Sequence, residues 1–201
     1  MDKSSHENVH RPVGDTPSKP RVPRFIFVVI IAGLAALYWY AAYGDTPAPE
    51  KTVKTFYQAY FDRDFDTVAN NLSVFWSVRL LPDYANMTPE QLLENRTKIE
   101  ADVSKVIADI EKENSIPKGV SIEVMKEYTK MGKNSAIVVY SFKENGKDTG
   151  METALLIKEK DQLRIFNMSP MDPQTLEQIK EVDMNVLDEN FDSLLKTGAT
   201  K

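Results

Sequence analysis

The chain has 201 residues, enough for one domain of ordinary size with appendages. Its 30 acidic side chains outweigh 25 basic ones for a formal net charge of -5, and it contains no cysteine. These values exclude disulfides, thiolate metal sites and a cysteine nucleophile, and an acidic body repels the phosphate backbone of nucleic acids.

The charge is uneven. Lys3, Arg11, Lys19, Arg21 and Arg24 against Asp2, Glu7 and Asp15 leave residues 1–24 at net +2; residues 25–44 carry none, so residues 45–201 hold -7. The only histidines, His6 and His10, lie in the N-terminal segment, which excludes a histidine triad or a buried histidine metal site in the rest of the chain. Residues 1–24 are polar and rich in proline, too poor in apolar groups to offset chain entropy, and read as a disordered cytoplasmic tail.

Residues 25–43, FIFVVIIAGLAALYWYAAY, are uncharged. As a helix at about 1.5 Å per residue they reach roughly 28 Å, close to the hydrocarbon thickness of a bilayer. Tyr38, Trp39, Tyr40 and Tyr43 crowd one end as an interfacial belt does. Arg21 and Arg24 precede the run, and Asp45 and Glu50 follow it. The pattern predicts a single transmembrane helix, with the N-terminus cytoplasmic, the C-terminal domain extracytoplasmic and the lipid bilayer as first partner. The alternative is a cleaved leader with Ala42-Tyr43-Gly44 as a small-x-small site, although secretory h-regions are shorter, at about 7–15 residues. Residues 44–49 form a short proline-containing linker, and residues 50–201 the extracytoplasmic domain.

Within that domain, Val53, Phe56, Tyr57 and Tyr60 at i, i+3, i+4, i+7 predict a helix face. Asp64 then caps a second helix bearing Phe65, Val68, Ala69, Leu72, Phe75 and Trp76. Thr88-Pro89-Glu90-Gln91 is a capping box with proline at the first helical position. It opens a third helix with a stripe of Leu92, Ile99, Val103, Val106 and Ile110, in which Arg96 snorkels. Beyond Pro117 and Gly119 the period changes to two. Val120, Ile122 and Val124 predict one strand, and Ser135 to Phe142 a second, with Ala136, Val138, Tyr140 and Phe142 on one face. Asn145-Gly146 is a hairpin turn, Thr149 to Ile157 the return strand, and Leu163 to Met168 the fourth strand. Asp172-Pro173 starts a final helix with Leu176, Ile179, Val182, Val186, Phe191 and Leu194 inward and Glu177, Glu181, Asp188, Glu189 and Asp192 exposed. Helices followed by a strand meander predict an α+β fold, three helices packed on a curved four-stranded antiparallel sheet plus a C-terminal helix.

Two stretches, EKTVKTFYQAYFDRDFDTVANNL from Glu50 to Leu72 and NSAIVVYSFKENGKDTGMETALLIKEKDQLRIFNM from Asn134 to Met168, resemble the opening helix pair and closing sheet of nuclear transport factor 2-like domains, in particular the bacterial membrane-anchored and lipoprotein type of unknown function. Leu163-Arg164-Ile165 stands where that type carries a tryptophan triplet. The resemblance implies a cone-like domain with a cavity between sheet and helices. Tyr57, Tyr60, Phe75, Trp76, Tyr140 and Phe166 are candidate residues to line it.

Asp62, Asp64 and Asp66 share a calcium-loop opening, but Thr67 and Ser73 stand where the loop needs glycine and glutamate, so capping is the expected role. No catalytic residue, metal or cofactor is expected. The sequence reading is a non-enzymatic protein- or ligand-binding module at the cell envelope, with a scaffold of an envelope-spanning secretion system as a special case. The alternative is a small-molecule binder or enzyme that uses Asp/Glu and Tyr in the cone.

Overall fold

Periodicity in the sequence becomes helices and strands at most of the expected places, in a computed structural model that describes residues 31, 34, 49–116 and 118–196. The chain divides between Thr46 and Pro47 into two units. Of the first, only Ile31 and Leu34 are described, both helical and exposed. The expected tail and the rest of the spanning segment lie outside the described residues. Among the described residues no helix is long and apolar enough to cross a membrane.

The second unit is α+β. Helix α1, Pro49–Phe61, buries Val53, Phe56 and Tyr57. Asp64 accepts a hydrogen bond from the Thr67 amide and caps α2, Phe65–Asn71. The expected continuous second helix is broken after Asn71. Leu72 forms a parallel bridge with Ile165, and the Ser73 amide donates to the Ile165 carbonyl at 2.9 Å. Ser73 then caps a separate turn, α3, Val74–Ser77. Serine offers the backbone a local alternative to helix, and a neighbouring strand edge supplies the partner that makes the break favourable.

The Thr88/Gln91 capping box is present and opens α4, Pro89–Glu94. Asn95 interrupts, and α5, Arg96–Ile110, follows. Ile99, Val103 and Ile107 are buried, whereas Ile110 is 56% exposed. Arg96 does not snorkel but forms an ion pair with Glu159.

The sheet is antiparallel and ordered β1-β3-β4-β5: β1 is Val120–Val124, β3 Ser135–Glu144, β4 Lys147–Glu159 and β5 Gln162–Pro170. A short strand absent from the sequence reading, β2, Lys130–Met131, pairs with Ile137 and Ala136 of β3, so β1 and β2 run along the same edge with a 3₁₀ turn, Lys126–Tyr128, between them. Asn145 and Gly146 have φ of 51° and 80°, the two positive values that a type I′ hairpin turn demands.

One face of the sheet, carrying Ala136, Val138, Tyr140, Ala154, Leu156 and Ile165, joins the helix residues Val53, Val68, Ile99 and Val103 in the main core. Each aliphatic side chain fully removed from water there contributes about 1.5–3 kcal/mol. The other face is covered as well, at one end. Ile137, Val139 and Ile157 are buried outside that cluster. The C-terminal segment is divided into a 3₁₀ turn, Pro173–Thr175, then α6, Leu176–Glu181, and α7, Met184–Lys196, rather than one helix. Asp188, expected on the exposed acidic face of the final helix, is buried. It accepts hydrogen bonds from the amides of Lys133 (2.6 Å) and Asn134 (3.0 Å) and the hydroxyl of Ser135 (2.6 Å), clamping α7 to the β2–β3 turn. Glycine at 132 makes room for this clamp, since a Cβ there would lie 2.6 Å from Asp188 Oδ2.

Candidate functional site

Three clusters combine polar chemistry with shape. The first lies between α1 and the inner face of the sheet. The Tyr57 and Tyr140 hydroxyls are 2.8 Å apart, Tyr140 donates to Glu152 Oε2 at 2.7 Å, and Tyr57 lies 3.1 Å from the same oxygen. Met168 Sδ is 3.6 Å from the Tyr57 hydroxyl. The rings are held edge-on and tilted: Tyr57 meets Phe142 at 5.1 Å and 89°, and Tyr140 at 5.2 Å and 53°. Burial pushes both tyrosine hydroxyls well above the ordinary phenol range, and the charge of Glu152 adds to the rise. Both therefore stay protonated at neutral pH and act as hydrogen-bond donors.

Of the six residues expected to line one cavity, five lie in or against the main core and Phe166 stands apart. Tyr57 and Tyr140 are buried partners. Tyr60 is half-buried at the end of α1, its hydroxyl pushed up to about 12 by burial and by a hydrogen bond to Glu111. Phe75 and Trp76 pack on the edge of the main core from α3. Phe166 sits at the register shift in β5 and packs edge-on against Phe191 of α7, with centroids 5.0 Å apart, away from the Tyr57–Tyr140 pair. Alternation from core-facing Leu163 and Ile165 puts Phe166 on the opposite face, and the bulge then returns Met168 to the core face.

The second cluster is centred on Arg96, which sequence spacing alone places among snorkelling side chains. Arg96 pairs with Glu159 and with Glu100 (2.7 Å) and donates to the Leu72 carbonyl at 3.1 Å. Glu159 also accepts from the Ser73 hydroxyl. Burial pushes the Glu159 carboxyl up, against the pull of Arg96. Nearby Arg164, which donates to Asn70 at 2.8 Å, is brought down to about 10 by burial and by the charge of Arg96. The cluster closes the broken α2–α3 junction and the end of α5 onto the β4–β5 hairpin.

The third is a groove of about 560 Å³ at the end of the sheet that α7 leaves uncovered. Cross-strand register sets its floor: Glu123 of β1 lies opposite Ser141, Ser141 opposite Met151, and the Met171 amide donates to the Met151 carbonyl. Met125 and Glu127 enter from the 3₁₀ turn and Asp148 from the start of β4. Lys143 is shared between Glu123 (2.5 Å) and Asp148 (3.6 Å), and Glu127 adds a third carboxylate to the lining. Nothing in the sequence reading singled out this groove, because its methionines are separated along the chain and meet only through strand pairing.

Asp62, Asp64 and Asp66 diverge into separate structural roles. Asp62 accepts from Gln58 at 2.8 Å, and Asp66 from Ser104 at 2.6 Å. Asp64 caps α2, and the Thr67 hydroxyl and amide hold its carboxyl below the usual range. Among the described residues no group of three or more His, Cys, Asp or Glu side chains could hold a metal ion. No protein-family model, curated protein or solved structure matches this chain.

Proposed function

We propose that this protein is a single-pass, membrane-anchored extracytoplasmic domain that works as a non-catalytic protein- or ligand-binding module at the cell envelope, with the scaffold of an envelope-spanning secretion system as a special case. The anchor rests on the uncharged run at 25–43 and the flanking Arg21, Arg24, Asp45 and Glu50. The cone-like, nuclear transport factor 2-like form of the domain rests on the resemblance of its opening helices and closing sheet. The α+β architecture is compatible with that form, but fold alone leaves function open.

The observation that carries the binding reading is the contrast between a closed inside and an open outside. The inner face of β3 is filled by core side chains, while the outer face ends in a methionine-lined groove. Polarizable, flexible methionines are characteristic of surfaces that accept a partner's apolar side chains. Crosslinking mass spectrometry in native membranes tests the reading. Repeated recovery of one envelope partner supports it, and repeated failure to recover any partner counts against it. Proteinase added to spheroplasts should remove the region after residue 44 and spare a tag at residue 1; the opposite pattern overturns the orientation.

The Tyr57–Tyr140–Glu152 cluster favours a second reading, a small-molecule binder or acid–base enzyme. Two buried tyrosine hydroxyls that hold one half-buried carboxylate bring acid–base groups together between α1 and the sheet. Native mass spectrometry after incubation with a cell metabolite extract discriminates. A small molecule retained by the wild type and lost by Glu152→Gln supports this second reading, and none retained by either leaves the first standing.

A further inference from the structure

We propose that the outer-face groove receives a basic segment of a partner protein that inserts an apolar side chain among Met125, Met151 and Met171 and sets its cationic groups against Glu123, Glu127 and Asp148. The inference rests on the binding-module reading above and names the surface and the partner chemistry within it.

Three observations converge. The first is shape and softness. The groove is formed by a bent edge, where β1 gives way to the 3₁₀ turn before β2, and its methionines come from the end of β1, from β4 and from beyond β5. Each thioether side chain is half-buried, so it can repack around an inserted group without opening the core. The second is charge. Three carboxylates line the groove, Glu123 and Asp148 paired with Lys143 and Glu127 near Lys180, on a region, residues 45–201, whose net charge is -7. A cationic partner is drawn to such a surface from a distance, and an anionic one is repelled. The third is the arrangement of Lys143. It bridges Glu123 and Asp148 across the groove wall, occupying with the protein's own ammonium the position that a partner's lysine or arginine would take. Glu127 lines the groove from the 3₁₀ turn, near Tyr128 and Lys180.

The remaining clusters point elsewhere. The Arg96–Glu159 cluster is internally compensated, and the Tyr57–Tyr140 pair is spoken for by the second reading of function. The acids of the last helix lose Asp188 to the β2–β3 turn. An acidic rim alone would not define a site, but an acidic rim around an apolar, adaptable floor selects a basic segment with an apolar anchor over a simple polycation.

The test uses the full chain in nanodiscs of zwitterionic phosphatidylcholine, which do not themselves attract cations. The probe is a fluorescently labelled lysine- and leucine-rich amphipathic peptide, compared with a polylysine of equal length, at physiological ionic strength. The wild type should bind the amphipathic peptide at least about tenfold more tightly than polylysine, the equivalent of ~1.4 kcal/mol. Met151→Lys and Glu127→Lys should each weaken the amphipathic peptide by about tenfold or more, Met151→Leu should preserve binding, and Glu189→Lys on the exposed face of α7 should change it by less than about twofold. Circular dichroism and thermal melting confirm that the variants fold; if Met151→Lys does not, the comparison of Glu127→Lys with Glu189→Lys decides. Equal weakening by Glu127→Lys and Glu189→Lys, or equal binding of the two peptides, would mean bulk charge rather than a groove and overturn the proposal. So would a wild type that binds neither peptide. If the peptide arm fails while crosslinking in native membranes recovers a partner at another surface, the groove is wrong and the module reading survives. If crosslinking recovers no partner, the module reading itself falls.

Discussion

The two faces of strand β3 are built from the same run of residues and end in different fates. Ala136, Val138 and Tyr140 point into a core closed by α1, α2 and α5, and they are fully buried. Ile137 and Val139 on the opposite face are buried under the C-terminal region, but two residues further along Ser141 opens onto a groove. The difference is one of cover. The inner face is roofed along its length by helices that carry apolar stripes. The outer face is roofed only where Asp188 fastens α7 to the start of β3 and Phe191 meets Phe166. Binding surface is therefore available where the cover stops, and the strand's own sequence does not say where that is.

The largest expected break in this comparison is at the charged cluster that ties the inner layer to the β4–β5 hairpin. Arg96→Met should cost about 3–5 kcal/mol, because it strands the buried Glu159 carboxylate, and Glu159→Leu added to it should restore most of the loss. Urea unfolding of the two variants measures both; a single variant as stable as wild type would show that the pair is not load-sharing. Next, Leu156→Ala on the inner face should cost about 2–5 kcal/mol through the cavity it leaves in a fully closed layer. A negligible change in the denaturation midpoint would mean that the inner face is less tightly packed than the outer.

A smaller effect sharpens the outer face. Asp188→Asn should cost about 1–3 kcal/mol, because an amide replaces a carboxylate that accepts three hydrogen bonds. Burial pushes the Asp188 carboxyl up, but the hydrogen bonds from Ser135 and from the amides of Lys133 and Asn134 outweigh it and hold the carboxyl below its ordinary value. Its folded pKa is thus lower than its unfolded one. The stability it contributes is present above the ordinary aspartate value of about 3.9 and is lost as pH falls through the depressed folded value. Thermal melts between neutral pH and that acid range should show Asp188→Asn with a flatter acid limb than wild type; parallel curves would remove Asp188 as the titrating clamp. The smallest effect belongs to the groove. Met151→Leu should alter stability by no more than about 0.5 kcal/mol, as expected of a half-buried position outside the core.

Local rules in the sequence anticipated several elements well. The capping box at Thr88 and Gln91, the Asp64 cap and the Asn145-Gly146 turn need only near neighbours, so spacing of a few residues carries the whole signal. Where a distant partner decides, the same rules misread the chain. Ser73 breaks a helix because the β5 edge offers its amide a partner. Arg96 and Asp188 both read as surface charges on amphipathic helices, and both are claimed by groups more than fifty positions away in the chain. Five of the candidate cavity residues gather in or against the main core, whereas Phe166, next to core-facing Ile165, alternates to the other face and meets Phe191.

The sequence by itself determined the α+β class, the four longer strands, the apolar run at 25–43 and the absence of thiol and histidine chemistry beyond the N-terminal segment, since each depends on composition or on spacing within a turn or two. Only the tertiary structure decided which charges are buried in pairs, where the last helix ends its cover of the sheet, and that Met125, Met151 and Met171 meet in one groove. Those outcomes depend on contacts between residues far apart in the chain, whose register is set by packing of whole elements and not by any local propensity.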